Sequence, residues 1–187
     1  MKFDWRKQLT IPNILTIVRL IMIPFMARQI LETSDQTNPA SFVLFLLIWL
    51  TDLFDGFIAR KFNMESELGK ILDPAVDKIF QITTAFCFYL IDYIPLFVPV
   101  ILISKDLILV LGGLYLFTKR QDTSSKLPGR ISTFLSAIGF ALLFILEEAH
   151  RHFARYLIYL SIFISFVAFF VYLHIFIAYK CKNKTQI

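Results

Sequence analysis

Asp52 and Asp55 stand three residues apart, and Asp73 and Asp77 stand four apart. On a helix each pair would share one face. At 1.5 Å per residue, Asp52 lies about 12 Å from Arg60 and Asp77 about 12 Å from Gly69. A short connection between the two segments therefore brings both pairs to one depth. Four carboxylates in one pocket repel unless they are protonated or bridged by cations. Oxygen-only ligands favour Mg²⁺ or Mn²⁺, and four of them can hold two ions. The residues between them suit phosphate chemistry. Gly56 and Gly69 remove side chains where a ligand could approach the backbone, Ala59 leaves room one turn on, and Arg60 offers a planar cation.

The elements that must position these residues are apolar. The chain has 187 residues, 57% hydrophobic and only 18% charged, with 21 Phe and a mean hydropathy of +0.68. Soluble domains carry about 25% charged residues, so a disordered chain, a disulfide scaffold and an ordinary cytosolic enzyme are excluded. Six stretches reach the roughly 20 apolar residues of a membrane crossing: 11–31, 39–60, 69–92, 95–117, 131–148 and 153–179. The expectation is an all-α integral membrane protein of six transmembrane helices. Residues 1–10 read as an interfacial segment carrying Phe3 and Trp5, 11–180 as one membrane domain, and 181–187 as a cytoplasmic tail. Arg19 interrupts the first stretch and no small-x-small cleavage site follows it, so that stretch is expected to be retained.

With the N-terminus inside, thirteen lysines and arginines face the cytoplasm, among them Arg60, Lys61, Lys119, Arg120, Lys126 and Arg130. Only Arg28, Arg151 and Arg155 fall on the other side. This bias predicts both termini in the cytoplasm, with the aspartates at the cytoplasmic ends of their spans. The net charge of +5 is then a matter of topology and needs no nucleic-acid partner. Cys87 and Cys181 fit neither a metal nor a redox spacing.

Asp52-x2-Asp55-Gly56-x2-Ala59-Arg60-x8-Gly69-x3-Asp73-x3-Asp77 resembles the CDP-alcohol phosphotransferase signature at all eight fixed positions. The resemblance implies transfer of a phosphatidyl group from CDP-diacylglycerol to an alcohol, with release of CMP. It implies Asp52, Asp55, Asp73 and Asp77 as ligands of two Mg²⁺ or Mn²⁺ ions, with Asp77 also the general base. Gly56, Ala59, Arg60 and Gly69 would border the CDP. The opening Ile11-Pro12-Asn13-Ile14-Leu15-Thr16-Ile17-Val18-Arg19 is similar to that of phosphatidylglycerophosphate synthases, which implies sn-glycerol 3-phosphate, a small phosphorylated alcohol, as acceptor. Ser104-Lys105-Asp106 looks closer to CMP-forming cardiolipin synthases, for which phosphatidylglycerol is the acceptor. The resemblance also allows a homodimer.

Asn13, Thr16 and Arg19 recur at a spacing of three on one helix face. Asn13 and Thr16 are candidates for the CDP phosphates and Arg19 for the acceptor; the alternative is a capped helix with Arg19 snorkelling. Lys105, Lys126 and Arg130 are further acceptor candidates, against positive-inside charge for the last two. Lys105 and Asp106, adjacent in one span, point about 100° apart and need not pair with each other. No Ser/His or Cys/His pair lies near the signature, which favours direct displacement over a phosphatidyl-enzyme intermediate. A divalent-cation transporter would also place acids in the membrane, but along a path through both leaflets and not at one depth.

Overall fold

The computed structural model describes residues 10–32, 39–61, 66, 68–118 and 127–184. They form six long α-helices: α1 (Ile11–Glu32), α2 (Pro39–Lys61), α3 (Gly69–Leu90), α4 (Phe97–Thr118), α5 (Leu127–Ile145) and α6 (Arg151–Lys184). A single 3₁₀ turn, Glu148–His150, leads into α6, and there is no strand among the described residues. The six expected segments are all helical, with shifted ends. The run 121–129 reads as a loop by its polar residues and Pro128-Gly129, yet α5 begins at Leu127. Proline is tolerated in a first turn because its missing N–H would have no helical partner there. Helix α6 continues through Lys184, beyond residue 180.

The chain reverses after α3 by a Schellman motif. Tyr93 N–H donates to Phe88 O (2.9 Å) and Asp92 N–H to Tyr89 O (3.0 Å), while Asp92 takes a φ of 60°. The Phe88 and Tyr93 rings stack with centroids 5.8 Å apart, supplying the apolar contact such a cap usually carries. Arg151 closes the same end. Its Nη2 donates to Tyr93 Oη (2.9 Å) and its Nε to Leu146 O (3.3 Å).

Helix α1 packs on α2 and α3, and α5 lies along α6 in the most extensive pairing of the fold. Gly139 explains that closeness. A Cβ there would stand 2.6 Å from Ile158 Cγ1 and 3.4 Å from Ala154 O, the close approach that small residues permit between apolar helices. Aromatic side chains from α2, α3 and α5 fill the centre. Phe45 meets Phe80 and Phe144 at 5.2 Å each, and Phe88 meets Phe144 edge-on at 4.8 Å. Large apolar side chains also line the outside, among them Phe25, Phe54, Phe134 and Phe163. Helix Pro12–Glu32 is by itself long and apolar enough to cross a membrane, and Pro39–Phe54 and Ile131–Ile145 are shorter apolar stretches.

Candidate active site

The polar stripe of α1 organises the carboxylates. Arg19 is 1% exposed, and its Nη1 donates to Asp52 Oδ1 on α2, whose side chain remains 33% exposed. Arg19 Nη2 also approaches Thr16 Oγ1 (3.4 Å). Thr16 Oγ1 lies 2.5 Å from Asp73 Oδ1 on α3 and 3.0 Å from Pro12 O. A hydroxyl has one proton, and the carboxylate is the stronger acceptor. The stripe thus ties Asp52 and Asp73, from two other helices, to one buried face. Each residue sits within about three turns of its helix end, where the start of α1, the end of α2 and the start of α3 meet.

Asn13, the third member, works one turn nearer the end. Its Nδ2 donates to Ser66 Oγ (2.7 Å), which also accepts Gly69 N–H (2.9 Å). Ser66 thereby caps the first turn of α3 from the side chain. Gly69 is buried, and a Cβ on it would fall 2.5 Å from Asn13 Oδ1 and 3.0 Å from Ser66 Oγ. The glycine is required for this packing, whatever ligand comes near. Ser66 escaped the reading of the sequence, although a serine three residues before a helix-opening glycine is a recognisable cap signal.

Asp77 follows Asp73 one turn along α3, within electrostatic range of Asp52, Lys78, Arg19 and Asp106. Beyond it lies a second charged group. Lys78 Nζ stands 3.2 Å and Lys105 Nζ 3.7 Å from the same oxygen, Asp106 Oδ1. The neighbours Lys105 and Asp106 do pair, because the long lysine stem folds back across the angle between them when burial removes water as a partner. Lys105 Nζ also donates to Ser165 Oγ (3.4 Å), which donates to Ser132 Oγ (2.8 Å).

Asp55, Gly56, Ala59, Arg60 and Arg130 occupy helical positions, but their side chains lie outside those described, and Lys126 lies outside the described residues. Among the described residues no three acidic, histidine or cysteine side chains are grouped to hold one metal ion. The donor chemistry still fits a hard divalent cation: Asp52 and Asp73 each present a carboxylate with one oxygen engaged by α1 and a second available to a ligand.

Residues 9–175 match the family model described as CDP-alcohol phosphatidyltransferase. The chain belongs to that family. It is 30% identical over 151 residues to the CDP-diacylglycerol--glycerol-3-phosphate 3-phosphatidyltransferase of Aquifex aeolicus, covering 80% of this chain and 83% of that protein. The protein of the same name from Bacillus subtilis is 26% identical over 84% of this chain and 90% of its own. A CMP-forming cardiolipin synthase from Streptomyces coelicolor is 30% identical over 72% of this chain, which spans 65% of that relative. The signature of this CDP-alcohol phosphatidyltransferase runs from α2 into α3, the two helices that α1 ties together.

Proposed function

We propose that the protein transfers the phosphatidyl group of CDP-diacylglycerol to sn-glycerol 3-phosphate, giving phosphatidylglycerophosphate and CMP. The observation that carries this reading is the joint anchoring of Asp52 and Asp73 by Arg19 and Thr16 within a complete family signature. The relatives from Aquifex and Bacillus, which match over most of both chains, favour the phosphorylated glycerol as acceptor. CMP-forming cardiolipin synthesis, with phosphatidylglycerol as acceptor, is the second reading; the Streptomyces relative and Ser104-Lys105-Asp106 favour it.

In this reaction a hydroxyl oxygen of the acceptor attacks the phosphatidyl phosphorus. One P–O bond forms, the pyrophosphate bond to CMP breaks, and the hydroxyl proton passes to the carboxylate of Asp77. Asp52, Asp55, Asp73 and Asp77 would hold Mg²⁺ or Mn²⁺, which when bound would neutralise the pyrophosphate and the departing CMP. Gly56, Ala59 and Arg60 border the CDP, while Gly69, Asn13 and Thr16, buried and committed to their neighbours, support that wall from behind, Asn13 through Ser66 and Thr16 through Asp73. Lys105, Lys126 and Arg130 serve the acceptor. Arg19, committed to Asp52, serves it by positioning that carboxylate.

The same reading places all six helices across a bilayer, both termini and the site on the cytoplasmic side. The shortest, α5, has 19 residues, about 29 Å of helix against a hydrocarbon core of about 30 Å. Outward phenylalanines such as Phe25 and Phe163 suit lipid, and the basic residues gather at the ends where the signature lies. CMP release from purified protein with CDP-diacylglycerol and Mg²⁺ or Mn²⁺ tests the function. Turnover with sn-glycerol 3-phosphate alone supports the first reading, turnover with phosphatidylglycerol alone the second, and turnover with neither refutes both.

A further inference from the structure

Asp106 is the most deeply buried carboxylate of the described site, 5% exposed at its side chain; among the described residues its Oδ2 meets no donor and its Oδ1 meets only two ammonium groups. A buried carboxylate kept for stability alone is normally saturated with donors. This one instead holds two ammonium groups by charge through one oxygen, Lys78 at 3.2 Å from α3 and Lys105 at 3.7 Å from α4. Asp77 is the other carboxylate within electrostatic range of both lysines; with Asp77 given to the metal ions in the reading above, two cations face the single charge of Asp106 in a region of low dielectric, which favours a further anion. The Lys78 side chain is 30% exposed and Lys105 is 12%. An anion can therefore reach the lysines while Asp106 stays behind them. Ser165 and Ser132 continue the support from α6 and α5, so the lysines are held from four helices.

We propose that Asp106 is a positioning residue for the acceptor: it aligns Lys78 and Lys105 as a paired-ammonium seat for the phosphate of a glycerol phosphate group, free or as a lipid headgroup. The proposal rests on the transferase reading above and adds Lys78 and Asp106 to the acceptor side. Lys78 and Asp106 both lie within electrostatic range of Asp77, which sets the seat near the base that takes the hydroxyl proton. Lose the carboxylate and the two ammonium groups repel one another; the seat opens although positive charge has been gained.

The test uses the full chain in detergent, with Asp106→Asn, Asp106→Glu, Lys78→Met and Asp106→Asn/Lys78→Met compared with the wild type. Kinetics are taken with sn-glycerol 3-phosphate and, separately, with phosphatidylglycerol in mixed micelles. Asp106→Asn is expected to raise the KM of whichever acceptor the wild type uses by about tenfold or more, with kcat and the CDP-diacylglycerol KM within about twofold. Asp106→Glu should recover part of the loss. Lys78→Met should show the same acceptor defect, and the double variant little more than either single one. Thermal stabilisation by sn-glycerol 3-phosphate should fall in parallel if the free phosphate is the ligand, and the phosphatidylglycerol KM alone should respond if the headgroup is. A folded Asp106→Asn whose acceptor KM is unchanged or lower overturns the proposal, since a lower value means the carboxylate only competes with the phosphate. Should Asp106→Asn not fold, an unchanged acceptor KM in Lys78→Met overturns it. A wild type that uses neither acceptor removes the transferase reading and the proposal together.

Discussion

Arg19 of α1 and Asp52 of α2 form an ion pair in which the arginine is almost wholly buried and the carboxylate is one-third open. The asymmetry matters for function. A carboxylate sealed by its partner could not serve a ligand, whereas one held from behind keeps an oxygen facing outward. Arg19→Met should therefore remove orientation as well as charge. The expected result is a loss of CMP release of about 100-fold or more and a stability loss of about 2 kcal/mol. That is below the 3–5 kcal/mol of a fully buried pair because Asp52 retains water. Arg19→Lys restores the charge without the planar fork and should recover stability better than activity. Thermal unfolding in detergent beside initial rates separates the two.

Gly69 and Asn13 make a second test of the same corner. Gly69→Ala puts a methyl group 2.5 Å from a buried amide oxygen, a clash worth about 1–3 kcal/mol. Asn13→Ala alone costs Ser66 one hydrogen bond, about 1 kcal/mol. Combined, the two should be less harmful than their sum, because the alanine at 13 vacates the space the new methyl group needs. Additive losses in the double-mutant cycle would mean that the glycine serves a ligand and not Asn13.

Much of this was legible in the sequence because a membrane makes its own punctuation. Runs of apolar residues, polar breaks and misplaced acids located six helices and the Asp52–Asp77 signature, and family membership agrees with the resemblance. Helix ends were less legible: Pro128 looks like a loop residue and proves to be a first-turn proline. What the Asn13–Thr16–Arg19 stripe faces could not be read either. Periodicity tells that residues share a face but not which neighbour that face meets. Thr16 with Asp73 spans 57 residues and Arg19 with Asp52 spans 33, and no local pattern encodes such pairings. Asp106 was visible as a misplaced charge beside Lys105, a pairing the helix angle left open; its second lysine, Lys78, became evident only when α3 and α4 were brought together.

Asp92 offers a prediction independent of catalysis. It holds φ at 60° in the αL position of the cap that ends α3, where a side chain costs something and glycine costs nothing sterically. Asp92→Gly should raise stability by up to about 1 kcal/mol, seen as a higher melting temperature with unchanged KM values. A drop in stability would mean that the Asp92 side chain makes interactions that outweigh the backbone relief.

Gly139 gives the opposite sign. An alanine there meets Ile158 Cγ1 at 2.6 Å with backbone atoms close behind, so α5 and α6 must separate. Overpacking of this kind costs about 1–3 kcal/mol. Gly139→Ala should lower the melting temperature, and Ile158→Ala in the same chain should return part of it. The acceptor KM is the informative second measurement. Ser132 on α5 and Ser165 on α6 carry the support of Lys105 across this interface, so helices forced apart at Gly139 should also loosen the lysine.

Asp77→Asn tests the chemistry itself. The amide is the same size as the carboxylate and can still accept a hydrogen bond, but it cannot take a proton from the acceptor hydroxyl. General-base catalysis is worth about 10²–10⁴-fold, so turnover should fall by about 10³-fold or more once weakened metal binding is added. Binding of CDP-diacylglycerol, measured by equilibrium retention of labelled nucleotide lipid, should survive, because Asp52, Asp55 and Asp73 remain. Chelation of divalent ions should abolish turnover in the wild type and be reversed by Mg²⁺ or Mn²⁺. Near-normal turnover in Asp77→Asn would remove Asp77 as the base and leave it a ligand at most. Lost nucleotide-lipid binding with a folded chain would instead show that its main duty is to build the site.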